Sequence, residues 1–209
     1  MAEILTRIQN RLNELYDVDS LPVEPFICSE EEARAAVGDA VSRGEVLLVS
    51  EDADGGISVG LYVDESALDL LRSDDASLEA YWLAAEGVSH FVYLIFRAQN
   101  DESVTQLELE LQAEVDKYAT ALLDGWGVGL IAERSRQIRR RLFDDAEYLD
   151  DEGTEEGERY RLATRTAARV VANLERRFVA REDLAGLIGE LRRFYRLGRR
   201  EKLAYANER

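Results

Sequence analysis

Apolar residues recur at helical spacing from the first turn of the chain. In "ILTRIQNRLNELY", Ile4, Ile8, Leu12 and Leu15 share one face, which predicts an amphipathic helix over about residues 2–16. Pro22 and Pro25 in "VDSLPVEPF" then force an extended connection. Ser29 followed by Glu32 has the form of a capping box and opens a second helix through "EEARAAVGDAVSRG", with Gly44 as its stop. The period drops to two in "EVLLVSEDADGGISVGLYVD", where two runs rich in Val, Leu, Ile and Tyr flank Asp54-Gly55. Both of those residue types tolerate positive φ, so an antiparallel hairpin is expected. Asp52 and Asp54 alternate as calcium ligands do, but Gly56 takes the third ligand place and no glutamate closes a twelve-residue loop.

From "SLEAYW" onward the helical period returns. "FVYLIFRA" and "TQLELELQ" admit a second hairpin, because Leu107, Leu109 and Leu111 alternate with polar residues. Val104, Leu107, Leu111, Val115, Tyr118 and Leu122 nevertheless make one stripe in steps of three and four, and Ser103 with Gln106 reads as a cap, so a helix is expected. "DGWGVG" ends it. "LIAERSRQIRRRLF" predicts a basic helix, and the acidic segment "DDAEYLDDEGTEEGE" a solvated loop or hinge. Two further amphipathic helices are expected in "RYRLATRTAARVVANLERRF" and "REDLAGLIGELRRFYRLGRREKLAYA".

The fold class that follows is α+β and predominantly helical: a small antiparallel hairpin near residues 45–63, long central helices and a C-terminal helical region. The expected division is an acidic α+β core over 1–143, an acidic loop or hinge over 144–158, and a basic helical region over 159–209.

Composition narrows the function classes. A chain of 209 residues with 46% apolar content can bury a core, and its net charge of −17 argues against unaided binding to nucleic acid or anionic membrane. Cys28 stands alone, which excludes an internal disulfide and a thiolate metal cluster and leaves it a packing role. No apolar run reaches the roughly 18 residues a membrane span needs, and the first residues lack the pattern of a signal peptide, so a cytoplasmic protein, bacterial in composition, is expected. The charge is uneven, at +8 for residues 159–209 against −25 for the rest. Arg192, Arg193, Arg196, Arg199 and Arg200 interleave with Phe194, Tyr195 and Tyr205, the one place where nucleic-acid contacts would be sought. The same segment also reads as an amphipathic helix whose arginines snorkel along a partner surface.

One stretch carries candidate chemistry. "EGVSH" lies inside the most apolar run of the chain, and on a helix Glu86 and His90 are neighbours at i and i+4, able to meet one ligand or each other. Twenty residues on, Glu110 and Glu114 border the apolar stripe of the next helix. At the level of spacing, over about 30 residues, the pattern resembles that of gluzincin metallopeptidases, which take two ligands four apart and a glutamate ligand from a later helix. It departs from them in having a single histidine and in placing Gly87 where the general-base glutamate belongs, which leaves Glu114 as the candidate base. Glu86, His90 and Glu110 are the candidate metal ligands. Such an oxygen-rich set suits manganese or iron better than zinc, and one histidine cannot furnish the paired motifs of a ferritin-like di-iron centre. Without a metal, Glu86 and His90 would form a hydrogen-bonded core pair.

Three functional expectations follow. The first is a protein-interaction module, adaptor or regulatory, with no chemistry or cofactor of its own and an unknown protein partner. The second is a metal-dependent hydrolase, or a degenerate zincin-like protein, holding one Mn, Fe or Zn ion. The third is nucleic-acid binding through the basic C-terminal helices.

Overall fold

The structure is a computed structural model that describes residues 2–51, 56–73, 77–145 and 153–207. It is predominantly helical with one two-stranded antiparallel sheet, the fold class that the periodicities predict. The chain divides into two compact units, one formed by residues 1–13 and 19–101 and the other by 14–18 and 102–209. The turn at Asp54-Gly55, the aspartates of the rejected calcium loop and residues 146–152 of the acidic segment lie outside the described residues.

The first unit opens with α1 (Ala2–Tyr16), whose last turn belongs to the second unit. Ile4, Leu5, Ile8 and Leu12 are buried as the stripe requires, and Gln9 on the same helix holds the proline connection. Its side-chain amide donates to Ser20 Oγ at 2.7 Å and to the Leu21 carbonyl at 2.6 Å, while its oxygen accepts from the Val23 N–H at 3.0 Å. Ser29 and Glu32 close a complete capping box at the start of α2 (Glu30–Val37). This helix is shorter than expected: at Gly38, with φ of 60°, the chain passes into a 3₁₀ turn, Gly38–Arg43. Gly44 stops that turn in the left-handed region, at φ 90°, where a side chain would also meet Leu83.

The hairpin pairs β1 (Glu45–Glu51) with β2 (Ile57–Val63), Glu45 opposite Val63 and Leu47 opposite Leu61. Side chains alternate across a strand, so Val46, Leu48 and Tyr62 fall on one face and pack with Cys28, Ala33 and Val41. The other face carries Glu45, Leu61 and Val63 and is covered by the central helix α4 (Leu78–Gln99). Between them α3 (Glu65–Arg72), which the periodicity did not single out, is capped by Asp64, whose carboxylate accepts from the Ser66 N–H at 2.8 Å. The "YWLAAEGVSHFVYLIF" run lies in one helix and not in a second hairpin: α4 is buried on all sides from Gly87 to Ile95. Burial of that kind explains an apolar run with little amphipathic contrast.

The second unit is built on α5 (Gln106–Leu123), which packs against α7 (Glu155–Arg177), with α6 (Ile131–Arg139), α8 (Leu184–Tyr195) and α9 (Arg199–Tyr205) completing it among the described residues. The α5 cap is Thr105 with Glu108, and not the expected Ser103 with Gln106. Glu108 accepts from both the Thr105 N–H (2.9 Å) and its hydroxyl (2.7 Å); a carboxylate makes the stronger, charge-assisted acceptor. The basic helix widens after Arg139 into a single π turn, Arg140–Asp144. The end of the acidic segment is helical, since Thr154 caps α7 and Glu155, Glu156 and Glu158 sit in its first turn, where the helix dipole favours negative charge. The last predicted helix is two. It breaks between Tyr195 and Arg199, and Glu201 folds back to accept from the Gly198 N–H at 3.0 Å.

A buried polar chain runs through this unit. Lys202, fully buried, donates to the Gln112 side-chain oxygen; the Gln112 amide donates to Asp116 at 2.7 Å and lies 3.3 Å from the Tyr16 hydroxyl, which itself donates to Asp116. Tyr16 stacks on Tyr195 with ring centroids 4.0 Å apart, and the Lys202 ammonium lies 4.7 Å from the centre of the Phe194 ring. Burial, and then the neighbouring Asp116 carboxylate, hold the Tyr16 phenol well above its ordinary range, so it remains a donor.

Candidate metal centre

Glu86 and His90 lie on the middle of α4, one turn apart, and each offers a ligand atom within 4.8 Å of the other's. His90 is buried and Glu86 half-buried. The helix that holds them is anchored at its start by Ser77, whose hydroxyl accepts from the Ala80 N–H at 3.0 Å. Apolar neighbours on every side then fix the rotation of α4, each fully buried Leu, Val or Phe contributing about 1.5–3 kcal/mol.

Gly87 marks the closest approach of α4 to the hairpin. A Cβ there would come within 3.1 Å of both Glu45 Oε2 and Leu61 Cδ1, and 3.4 Å of Val63 Cγ2. This accounts for the departure from the zincin-like spacing. The place of the motif's base glutamate faces a packed sheet, and a long side chain at 87 has no room.

What occupies that space is a carboxylate from another element. Glu45 is the first residue of β1, and strand alternation puts it on the face that α4 covers. Its Oε2 lies 3.6 Å from His90 Nδ1, and its side chain is only 11% exposed. Oε2 is buried with no hydrogen-bond partner among the described residues. Periodicity had no means of finding Glu45: in sequence it is an ordinary charged strand end, and only the packing of the hairpin on α4 gives it meaning.

Glu110 and Glu114 lie on α5, in the second unit, one turn apart. Glu110 is buried; Glu114 accepts from the Lys117 ammonium at 2.7 Å, in a pair whose side chains are 10% and 13% exposed. The candidate base is therefore charge-compensated by a neighbour on its own helix.

Phe194, Tyr195 and Tyr205 are buried, so none presents a ring face for stacking on bases. Arg192 donates to the carbonyls of Leu15 (2.8 Å) and Glu14 (2.9 Å), and Arg196 to that of Asp17 (3.2 Å), which satisfies the C-terminal end of α1. Arg193 pairs with Glu190, while Arg199 and Arg200 are exposed. Cys28 is half-buried against the Ala33, Val41 and Tyr62 cluster; burial, then the Glu32 carboxylate, raise its thiol and make it a poor nucleophile. Among the described residues no helix is long and apolar enough to cross a membrane. Comparison with protein-family models, with curated proteins and with solved structures returned no match.

Proposed function

We propose that this chain binds one divalent cation through Glu86 and His90, and that metal-assisted hydrolysis is the reaction class such a pair would serve. The observation that carries the reading is the Glu86–His90 pair: a carboxylate and the single imidazole of the chain, one helical turn apart, with donor atoms within 4.8 Å of each other on a rigid, buried helix. Carboxylate and imidazole donors together suit manganese, iron or zinc. A bound ion of that kind would polarise a substrate oxygen. Gly87 has no side chain to serve as base.

The test is metal analysis of protein purified without chelator and without a metal-affinity tag, beside His90→Ala. About one equivalent of metal in the wild-type chain, lost in the variant, supports the centre. No metal, and none taken up when manganese, iron or zinc is added, rejects it.

A second reading, the protein-interaction module, draws on the turn between α5 and α6. Val128 and Leu130 are 74% and 78% exposed there, the two most exposed large apolar side chains among the described residues. Capture of a partner by the wild-type chain, abolished by Val128→Ser with Leu130→Ser and indifferent to His90→Ala, would favour it over the metal centre.

A further inference from the structure

A metal-binding imidazole must present one nitrogen with a free lone pair, and the proton on the other nitrogen decides which one that is. His90 Nδ1 faces Glu45 Oε2 at 3.6 Å. Oε2 is buried, lacks a hydrogen-bond donor among the described residues, and can only accept. Burying such an oxygen unpaired is costly, so a proton on Nδ1 is favoured over a lone pair there. The separation exceeds a hydrogen bond. An orienting role therefore requires a small rotation of the Glu45 side chain to bring the two atoms within hydrogen-bond reach.

We infer that Glu45 is the positioning residue of the metal centre: it holds the imidazole as the Nδ1–H tautomer and turns Nε2 toward the cation. Carboxylate behind histidine is the arrangement that fixes ring orientation and raises ligand basicity in metal sites generally. The geometry also explains the rest of the local sequence. A glycine at 87 is what lets Glu45 approach the helix, since any Cβ at that position would crowd Oε2. The motif's usual glutamate and the orienting carboxylate thus compete for one space, and this chain fills it from β1. The inference rests on the metal-binding reading for its purpose, but not for its test.

The chain has one histidine, so a tag-free, ¹⁵N-labelled preparation gives a single imidazole spin system. Long-range ¹H–¹⁵N correlation on the metal-free wild-type protein near neutral pH should show the proton on Nδ1 and a lone pair on Nε2. Glu45→Ala should lose that preference, whereas Glu45→Gln, which keeps an oxygen acceptor, should retain it. Titration with Zn²⁺ should then show binding through Nε2, with affinity lower by roughly 10–100-fold in Glu45→Ala and largely kept in Glu45→Gln. A wild-type imidazole protonated on Nε2, or on both nitrogens, overturns the inference without any variant, so a Glu45→Ala chain that fails to fold does not shelter it. An Nδ1–H tautomer that survives in folded Glu45→Ala overturns it equally. If the tautomer behaves as expected but the wild-type chain binds neither Zn²⁺ nor Mn²⁺, the orienting role of Glu45 stands and the metal centre falls.

Discussion

In the second unit the buried polar side chains hand hydrogen bonds along until the series closes: Lys202 to Gln112, Gln112 to Asp116, and Tyr16 back to Asp116. In the first unit Glu45 reaches the interior beside His90 with a buried oxygen that accepts no hydrogen bond from the described residues. The two arrangements use similar materials, a cation or imidazole beside a carboxylate in a buried place, and differ in their bookkeeping. A closed series of donors and acceptors is what a structural core requires, since each group offsets the desolvation of the next. A carboxylate held beside an imidazole with capacity to spare is what a ligand site requires. The contrast teaches that burial of charge does not separate structure from function; whether the donors and acceptors add up does.

The sharpest way to break the contrast is to open the closed series. Lys202→Ala leaves Gln112 Oε1 without its donor in a buried place, and the expected loss is about 1–3 kcal/mol in urea unfolding. A loss below about 1 kcal/mol would mean that water replaces the ammonium and that the series is less closed than the geometry says.

The converse experiment fills the open place. Gly87→Glu restores the acidic residue of the zincin spacing, yet it drives a side chain into Glu45, Leu61 and Val63. Overpacking of this sort should destabilise the chain by about 1–3 kcal/mol, somewhat offset by the better helix propensity of glutamate. A variant as stable as the wild type, with unchanged thermal unfolding, would show that the hairpin yields and that Gly87 is no spatial constraint.

A smaller effect tests the helix that carries both Glu110 and Gln112. Thr105→Ala removes the hydroxyl half of the α5 capping box and should cost about 1 kcal/mol. Ser103→Ala, the cap expected from sequence, should be close to neutral, and a reversal of the two in chemical denaturation would return the helix start to Ser103.

The mildest change belongs to the acid end of the stability profile. Burial acts to raise the Glu190 carboxyl, but hydrogen bonds from Arg193, Tyr205 and Arg177 outweigh it and bring it down to about 2. A carboxyl depressed in the folded state stabilises fully above its unfolded value and loses that contribution as pH falls from the ordinary glutamate range through about 2. Glu190→Gln should therefore be less stable than wild type at neutral pH, with the gap narrowing over that acid window. A constant gap across it would assign the effect to packing.

The interplay of local and tertiary signals explains what could be read in advance. The stripe of Leu111, Val115, Tyr118 and Leu122 is a local pattern with a local consequence, and all four are buried on α5. The Glu86–His90 spacing was legible for the same reason, because a helix of any kind puts residues four apart on one face. The α5 cap was misplaced by two residues because Ser103 and Thr105 both precede a residue able to close the box, and the better acceptor, Glu108, decided between them. The break between α8 and α9 escaped notice because Leu191, Phe194, Leu197 and Leu203 keep a helical rhythm across it, while Gly198 and Glu201 form a start signal inside an apparently continuous helix. The basic aromatic segment suited two roles in sequence, and that Phe194, Tyr195 and Tyr205 are buried depends on tertiary packing that local pattern does not record.

The sequence by itself determined the helical and strand periods, the hairpin and the turn-by-turn pairing of Glu86 with His90, all of which are set by geometry within a few residues. The tertiary structure alone decided that Glu45 stands behind His90, that Gly87 is a point of contact and no gap in a motif, and that Tyr16, Gln112, Asp116 and Lys202 form one series. Each of these depends on which face of one element meets which face of another. Such contacts join residues 40 to 100 positions apart by about the same cost of chain closure, since that cost grows only with the logarithm of loop length, and local pattern therefore holds no record of them.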